Sequence, residues 1–479
     1  MRRLRILVFA AGAAALLGTG CAKAAPTTTT PMPSTTPVST PAAAIRAASL
    51  WGRAIAVPGL VALNKARNAE VRSVSCAALG SCAATGFYTD SGRHQQGFVA
   101  VERNGRWRQA IEVPGLGALN KGRNADVNSV SCAVAGSCAA VGGYTDGGGH
   151  RQGFVVSEVN GVWGRAIEVL GLGFLNMGGH AEVSSVSCAS RGSCAAVGFY
   201  TDGGGHQQGF VAVGQNGVWD RAVEVPGLGA VNKGGAAYVS SVSCASPGNC
   251  AAGGYYNSDA AGSAQAFVVS EKNGSWGTAQ EVAANLNTGS GASVDTVSCA
   301  SADNCAAGGQ YAGASKDQAF VISEVNGTWA TAKEVAGKLN SNGPASVTSV
   351  SCASAGNCSA GGTFDYGGYN AAFVVSEKNG AWGQAINVPG LSRVARDASL
   401  HSVSCASAGN CAAGGGYDGF GSGAWVVREN NGVWGKQTTV PGLGALGVNS
   451  VSCASAGSCV AGGYYREPVR GYALQGFVT

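Results

Sequence analysis

The sequence repeats itself eight times over almost its whole length, and this repetition constrains the fold more than any other feature. Successive marker tryptophans are 56, 56, 56, 57, 53, 53 and 52 residues apart, and only Trp425 lies outside the series. The markers are Trp51, Trp107, Trp163, Trp219, Trp276, Trp329, Trp382 and Trp434. A period near 50 residues is typical of solenoids and of radially arranged β-sheet blades. We therefore expect eight copies of one supersecondary unit.

Each unit has the pattern of four short strands, here called a to d in chain order. In the second unit we predict strand a over residues 127–132, strand b over 138–144, strand c over 154–158 and strand d over 163–169. Asn160-Gly161 between strands c and d is typical of a two-residue hairpin turn. Hairpins join a to b, b to c and c to d, whereas a longer segment leads from d to the next strand a. This order predicts a four-stranded antiparallel blade.

The two ends of the repeat array are complementary. Residues 51–57 are a strand d without its own blade, and the chain stops at residues 475–479, in strand c of the eighth unit. We therefore predict an all-β fold, an eight-bladed β-propeller of four-stranded antiparallel blades, closed by the N-terminal strand that completes the last blade. A linear β-solenoid is the alternative, but it does not explain the complementary ends.

Sixteen of the seventeen cysteines fall into pairs with five residues between them, and Cys21 is the odd one. Zinc ligands or free thiols are alternatives, but zinc knuckles have closer spacings and no companion histidine recurs. The spacing suits facing positions of a β-hairpin, with Cα atoms about 5.5 Å apart, so we predict eight local disulfides. The pairs are Cys76 and Cys82, Cys132 and Cys138, Cys188 and Cys194, Cys244 and Cys250, Cys299 and Cys305, Cys352 and Cys358, Cys405 and Cys411, and Cys453 and Cys459.

The first 48 residues have the composition of an export signal followed by a linker. Three arginines precede the apolar residues 6–17, a run too short to span a membrane, so residues 1–20 are predicted to be a signal peptide of the lipoprotein type. Cys21 would then be lipidated, while cleavage at residues 22–24 is the alternative, ordinary secretion. Residues 21–48 are rich in Thr, Pro and Ala and are predicted to be a tether for the propeller over residues 49–479. The expected location is the outer face of the cell membrane, through a lipid anchor only, or the medium.

The blade motif carries a family resemblance. The order Val-x-Ser-Val-Ser-Cys, Cys-Ala-Ala-Val-Gly and Phe-Val-Val-Ser-Glu-x-Asn-Gly-x-Trp resembles the blades of sialidase-type Asp-box propellers and of photosystem-assembly propellers. It is still more similar to uncharacterised exported propeller repeats of high-GC Gram-positive bacteria with a Ser-Val-Ser-Cys signature. Asp-box families have an Asp-x-Gly-x-x-Trp turn between strands c and d, whereas residues 273–276 here are Asn-Gly-Ser-Trp. The resemblance therefore implies the architecture and not the Asp-box function.

Composition and motifs argue against nucleic-acid binding and against catalysis. Without the three arginines of the signal peptide, 28 basic residues face 26 acidic ones, a net charge of +2 that is too small for a polyanion binder. No Ser-His-Asp or His-Glu-x-x-His pattern is present, so we expect neither an enzyme nor a cofactor. Glutamates recur at two strand positions, which favours a solvated strand surface. They are Glu112, Glu168, Glu224, Glu281 and Glu334 on strand d, and Glu102, Glu158, Glu271, Glu324 and Glu377 near the c–d turn.

Polar groups that differ between units concentrate in the b–c loops and in the d–a links, which a propeller places on one face. Loops on a rigid scaffold are common binding sites, so we predict a ligand-binding face there. The candidate residues are Lys65, Arg67, Asp90, His94, Lys121, Arg123, Asp146, His150, His180, Asp202, His206 and Lys233. The alternatives are recent duplication without a binding role and Asp-containing turns. We expect no metal site, because ligands on adjacent blades would lie too far apart.

The predicted function is a monomeric, non-catalytic cell-surface scaffold that binds a protein or an extracellular or cell-wall glycan. A propeller lectin and a sialidase-like glycoside hydrolase remain as alternatives. A lectin would use the tryptophans as stacking faces, whereas their recurrence on strand d favours burial between blades.

The lipid anchor is directly testable. If Cys21 is acylated, Cys21→Ala removes the acceptor thiol, and the protein is expected to move from the membrane fraction into the medium. Immunoblots of the two fractions measure this redistribution. An unchanged membrane fraction would contradict anchoring through Cys21.

Overall fold

The computed structural model describes residues 51–289, 291–340, 343–391, 396–418, 421–467 and 473–479. The predicted signal peptide, Cys21 and the predicted tether lie outside the described residues. The eight units form eight four-stranded antiparallel blades, which confirms the predicted fold class. Blades 1 to 6 are separate sheets, while blades 7 and 8 are joined by one bridge between Gly416 and Gly447. Among these residues, every helix is too short or too polar to cross a bilayer.

Strand a is the innermost strand of each blade, and it contacts strand a of both neighbouring blades. Its alternating apolar residues, such as Ala69, Val71 and Val74, are buried between blades. Strand a begins two residues earlier in blade 2 than the alternation alone predicts. The eight copies are Ala69–Ala78, Ala125–Val134, Glu182–Ser190, Ala237–Ser246, Ala292–Ser301, Ala345–Ser354, Arg396–Ser407 and Ala445–Ser455.

Strand b begins with small residues and then has a glycine, because strand a approaches its backbone closely. A Cβ atom on Gly86 would lie 2.0 Å from the carbonyl oxygen of Glu70, and the equivalent glycines of the other blades are equally crowded. This contact explains the recurring glycine after the Cys-Ala-Ala run. The copies are Ser81–Thr89, Ser137–Thr145, Ser193–Thr201, Asn249–Asn257, Asn304–Ala312, Asn357–Asp365, Asn410–Asp418 and Ser458–Glu467.

Strand c supplies the largest fully buried side chain of each blade. Phe98 and its equivalents are fully buried, and Trp425 takes the same position in blade 7, which accounts for the tryptophan outside the repeat series. The copies are Gln95–Arg103, Arg151–Val159, Gln207–Gln215, Ala264–Lys272, Asp317–Val325, Asn370–Lys378, Gly423–Asn430 and Ala473–Val478.

Strand d differs from the prediction because it is interrupted. Between its two short segments the backbone leaves strand c and donates to the preceding blade, as the N–H of Ala166 does to the carbonyl of Pro114 at 2.7 Å. The segments in blades 1 to 7 are Arg106–Trp107 and Ile111–Glu112, Val162–Trp163 and Ile167–Glu168, Val218–Trp219 and Val223–Glu224, Ser275–Trp276 and Gln280–Val282, Thr328–Trp329 and Lys333–Glu334, Ala381–Trp382 and Ile386–Asn387, and Val433–Trp434 and Thr438–Thr439.

Four of the d–a links contain one helical turn that the sequence analysis did not predict. Each turn follows a Pro-Gly or Leu-Gly pair, and the glycine has a positive φ of 78–81°. The first leucine of each turn is buried between blades, so the turn fastens the link to the sheet below. The turns are Leu60–Leu63, Leu116–Leu119, Leu172–Leu175 and Leu228–Val231.

A belt of hydroxyl groups joins the inner strands. The N–H groups of Val130 and Cys132 donate to the hydroxyl oxygens of Ser73 and Ser75 on the preceding blade, at 3.2 and 2.9 Å. The same two bonds recur at all eight junctions, and a threonine replaces the serine once. The inner edge of a blade has no further strand to pair with, so these hydroxyls satisfy its outward N–H groups. The Ser-Val-Ser-Cys signature is therefore a junction between blades.

All eight predicted disulfides are present, each between cysteines six positions apart. Their Cα separations are 3.9–4.0 Å, shorter than the predicted 5.5 Å. The first cysteine directs its N–H to the neighbouring blade, so the two cysteines form a non-hydrogen-bonded pair, in which facing residues lie closer. Eight disulfides indicate an oxidising environment, in agreement with export.

The N-terminal strand closes the ring. Ile55–Ala56 pairs antiparallel with strand c of blade 8, Ile55 opposite Val478 and Ala56 opposite Phe477. Fewer residues pair than the predicted 51–57, because the N–H of Ala54 donates instead to the carbonyl oxygen of Pro441 of blade 7. Trp51 is buried in the core between blades 7 and 8. The predicted completion of the last blade is confirmed.

Deleting residues 50–57 tests the contribution of this closure. The deletion uncovers strand c of blade 8 and removes Trp51, whose loss from a core is expected to cost about 3–5 kcal/mol of unfolding free energy. A clear fall in melting temperature, measured by differential scanning calorimetry, is the expected result. Deletion of residues 27–34 is the matched control and should leave melting unchanged. Equal melting temperatures for the two deletions would contradict closure by the N-terminal strand.

Candidate functional site

The b–c loops and the d–a links meet on one face of the ring. Short parallel bridges join the start of strand c in one blade to the link that enters the next, as between Arg151 and His180. The histidine of one loop also packs on the following link, since a Cβ atom on Gly179 would lie 2.6 Å from the His150 ring. This side, with both sets of segments, is called the loop face below. The side with the short Cys-x5-Cys and Asn-Gly turns is called the turn face.

A buried asparagine organises each of the first four links. Asn120 donates to the side-chain oxygen of Gln96 at 2.9 Å and to the backbone oxygen of Gln95 at 3.0 Å. Its own side-chain oxygen accepts the N–H of Asn124 at 2.8 Å. The asparagines therefore hold the loop face together, and they are not available to a ligand.

Each predicted Asp–His pair lies within a single b–c loop. The carboxylate of Asp146 accepts the backbone N–H groups of Gly148 and His150 at 2.8 and 2.9 Å, and the His150 ring lies 3.5 Å from it. Asp90 with His94 and Asp202 with His206 have the same arrangement. The aspartates thus stabilise turns, as the structural alternative predicted. Within the described ranges, no group of three His, Cys, Asp or Glu side chains is placed to hold a metal ion.

The predicted basic residues are spread along the loop face. Most of the predicted site is exposed to solvent, whereas Asp90, His94, Asp146 and Asp202 are half-buried. The exposed members are Lys65, Arg67, Lys121, Arg123, His150, His180, His206 and Lys233. The structure therefore places these side chains on one face, in the loops and links of blades 1 to 4 and 8, without bringing them into one pocket.

A second set of polar residues, which the sequence analysis missed, is connected by hydrogen bonds along the inner strands. The guanidinium of Arg72 donates to Asp126 of the next blade and to Asn128 at 2.9 Å. Arg151 contacts the same Asp126 and lies 3.3 Å from Glu182. We call this set the inner polar network. It comprises Glu70, Arg72, Asp126, Asn128, Arg151 and Glu182.

Aromatic rings continue the inner polar network into blades 3 and 4. Tyr238 stacks on Tyr255 with ring centroids 6.2 Å apart and lies 5.1 Å from Phe199. The hydroxyl of Ser184 donates to that of Tyr238 at 2.8 Å. Charged groups and half-buried aromatic faces thus adjoin each other on the inner strands, a combination suited to binding a polar ligand that has apolar faces.

The inner polar network occupies the positions where the repeat fails. The residue before the first buried Val or Leu of strand a is Glu70, Asp126, Glu182 and Tyr238 in blades 1 to 4, whereas it is serine in blades 5 to 7. That variation is visible in the sequence and could have revealed the site. The sequence-based prediction instead placed the site in the b–c loops and the d–a links.

On the opposite side of the ring, two inner positions carry titratable groups. Burial raises the pKa of the Asp295 carboxyl to about 6, although the hydroxyl of Ser293 donates to it at 2.8 Å. In blade 7 the Ser399 hydroxyl lies 2.7 Å from Nε2 of His401, whose Nδ1 lies 2.8 Å from the carbonyl oxygen of Val448.

The expectation of a solvated surface is wrong for the glutamates at the end of strand c. Glu158, Glu271, Glu324 and Glu377 are only 3–5% exposed, because this position faces the junction with the preceding blade and not solvent. Burial raises the pKa of each of these carboxyls. The strand d set fits the expectation better, since these glutamates are half-buried or exposed and accept a tyrosine hydroxyl, as Glu168 does from Tyr144 at 3.0 Å.

A small cavity on the loop face lies between blades 6 and 7. Its volume is about 190 Å³, and its walls include Tyr366, Tyr369, Leu391 and Arg396. The Arg396 guanidinium lies 5.0 Å from the centre of the Tyr369 ring. Ligand pockets usually measure about 300–1,000 Å³, so this cavity would hold only part of a ligand.

No family model and no curated protein matches the sequence. Solved structures resemble the fold. The chain is similar to YCF48 from Cyanidioschyzon merolae, with a TM-score of 0.43 and 12% identity over 76% of this chain and 96% of that one. It is similar to the WD40 β-propeller domain of Doa1, with a TM-score of 0.41 and 13% identity over 89% of this chain and 97% of that one. It is also similar to the GH74 xyloglucanase from Xanthomonas campestris, with a TM-score of 0.46 and 12% identity over 87% of this chain and 60% of that one. These similarities concern architecture only.

The buried glutamates predict a pH-dependent stability. A carboxyl whose pKa rises on folding stabilises the fold below its ordinary value of 4.5, and this stability is lost as the pH increases through the raised pKa. Glu271→Gln removes that loss. Its advantage in unfolding free energy over the wild type is expected to grow as the pH rises above about 4.5.

Denaturant unfolding at several pH values measures this difference, and Glu324→Gln is the matched control. The Glu324 carboxylate accepts a hydrogen bond from Ser270 at 2.9 Å, and Lys272 is close to it; both lower its pKa against the effect of burial. The gain in unfolding free energy from Glu324→Gln should therefore be smaller than that from Glu271→Gln. A pH-independent difference for Glu271→Gln would contradict the prediction.

Proposed function

We propose that the protein is a non-catalytic scaffold that binds a glycan or a protein partner on its loop face, through the inner polar network and the adjoining aromatic rings. One observation carries the proposal: charged and aromatic residues replace the repeat serines on the inner strands of four adjacent blades. A role in the fold alone would favour the same residue in every blade, as in the serine belt and the disulfides. Selection for a ligand explains why one part of the ring differs.

The chemistry of the site favours a polyhydroxylated ligand over a polyanion. The inner polar network has three carboxylates and two guanidiniums, and these groups largely satisfy one another. Paired donors and acceptors beside the face of Tyr238 suit the hydroxyls and the apolar ring face of a sugar. A cell-wall or extracellular glycan is therefore the first partner to test, and a protein is the second.

A cell-surface location belongs to the same proposal. The eight disulfides and the predicted lipoprotein signal support it, as does the resemblance of the blade motif to exported propeller repeats. The predicted tether would then link the propeller to the membrane.

One observation favours a glycoside hydrolase as the second candidate. Asp295 lies on an inner strand, and its pKa of about 6 suits a general acid near neutral pH. A hydrolase would release reducing sugar from a polysaccharide, and Asp295→Asn would abolish the release. The same assay without any turnover would favour the scaffold.

A glycan array probed with the intact chain tests the proposal. We expect specific glycans to bind, and Tyr238→Ala to weaken that binding by about tenfold because a stacking face worth roughly 1 kcal/mol or more is lost. Tyr366→Ala is the matched control, since Tyr366 is an exposed aromatic residue on the loop face outside the inner polar network. The affinity of Tyr366→Ala for the bound glycans should match that of the wild type.

A blank array together with a captured partner protein that Tyr238→Ala no longer binds would support the protein form of the proposal. Binding of either kind that is insensitive to Tyr238→Ala would refute the assignment of the site. Melting temperatures of both variants separate loss of binding from loss of folding.

A further inference from the structure

A cavity between blades lies on the turn face, at the junction of blades 3 and 4. Its volume is about 360 Å³, and it is bounded by the Cys-x5-Cys turns of both blades and by the end of strand c of blade 3. Its walls include Val213, Gly214, Gln215, Glu271 and Gly274. The inner polar network takes no part in this cavity.

The cavity exists because blade 3 departs from the repeat at the end of strand c. Blades 2, 4, 5 and 6 have Ser-Glu at this position, whereas blade 3 has Val213-Gly214. At the junctions that follow blades 4, 5 and 6, the serine hydroxyl donates to the buried glutamate of the next blade at 2.6–2.9 Å. The same hydroxyl accepts the indole N–H of the next blade's tryptophan.

At the junction of blades 3 and 4 this arrangement is broken. Both carboxylate oxygens of Glu271 are buried without a hydrogen-bond partner, and so is the indole nitrogen of Trp276. Glu271 is only 3% exposed, and it lines the cavity. Leaving a buried carboxylate unpaired is costly, so the cavity favours a group that can neutralise it.

The junction of blades 1 and 2 shows which group fits. There too the serine is absent, because Val101 replaces it. The guanidinium of Arg103 reaches over from blade 1 instead, donating to Glu158 at 3.2 Å and to the carbonyl oxygen of Gly161. The glutamate and the glycine carbonyl are thus the two acceptors of one guanidinium.

The corresponding acceptors at the junction of blades 3 and 4 are Glu271 and Gly274, but Gln215 stands where Arg103 would be. No atom lies within 4 Å of a Cβ built on Gly274, whereas the Arg103 guanidinium is 2.8 Å from a Cβ built on Gly161. The space that the Arg103 guanidinium fills at the junction of blades 1 and 2 is therefore empty at the junction of blades 3 and 4.

We propose that this cavity binds the guanidinium of an arginine side chain supplied by a partner, through the Glu271 carboxylate and the Gly274 carbonyl oxygen. A primary ammonium fits less well. At the junction of blades 4 and 5, Lys272 pairs with Asp303 at 3.1 Å, and Gly248 occupies the position of that aspartate in blade 4. The planar guanidinium also matches two acceptors at once. The site is independent of the proposed ligand on the loop face.

The test titrates the intact protein with the peptide acetyl-Gly-Arg-Gly-amide and follows saturation by ligand-observed NMR. Saturable one-to-one binding is expected, and the otherwise identical citrulline and lysine peptides should bind at least about tenfold more weakly. Glu271→Gln is expected to lower the affinity by a similar factor. Glu324→Gln is the matched control, since its carboxylate is already partnered, and it should leave the affinity unchanged.

A second variant tests the site even if the peptide binds too weakly to be detected. Gln215→Arg supplies the guanidinium from the chain itself, as Arg103 does, so it should block peptide binding and raise the melting temperature. Equal affinity for the citrulline or lysine peptide would overturn the proposal. So would the absence of saturable binding combined with an unchanged melting temperature for Gln215→Arg.

Discussion

The fold depends on hydrogen bonds between strands that belong to different sheets. Each blade ends inward in an edge strand, and packing eight such edges around an axis would bury N–H groups that no strand can reach. The hydroxyls of Ser73 and Ser75 and their equivalents accept these groups from the following blade. Each blade therefore needs the preceding blade to satisfy its backbone, and the first needs the last. Closure of the ring is a requirement of the backbone as well as of the apolar core.

The features that repeat could be predicted from the sequence, because eight copies reinforce one pattern. Strand order, disulfide pairing and completion of the last blade by the N-terminal strand follow from the regular spacing of Cys, Trp and Asn-Gly. The break in strand d could not be predicted, because it depends on a bond from Ala166 to the preceding blade. The Glu271 environment could not be predicted either, since an alternating strand does not show which face will be covered by another blade.

Repetition also concealed the residues of the two proposed sites. A glutamate that recurs five times resembles surface decoration, yet four of these side chains are buried. Glu158, Glu324 and Glu377 have their partners on the preceding blade, and Glu271 has none. What distinguishes Glu271 is the residue one blade earlier, where valine replaces serine. The inner polar network is hidden in the same way, because Asp126 becomes meaningful only beside Arg72 and Arg151. In a pseudo-symmetric ring, a residue that departs from the repeat in one blade therefore changes the surroundings of a residue in the neighbouring blade.

The local disulfides have a consequence for the order in which the chain folds. Each bridge joins cysteines only six positions apart, so it can form as soon as its own hairpin exists and without any partner blade. The pairing of Ile55 with Val478, by contrast, joins nearly the two ends of the folded body and must overcome the loop entropy of the whole array. Oxidation can thus proceed hairpin by hairpin along the chain. Assembly finishes with one long-range event that selects only those chains in which every earlier blade is in place.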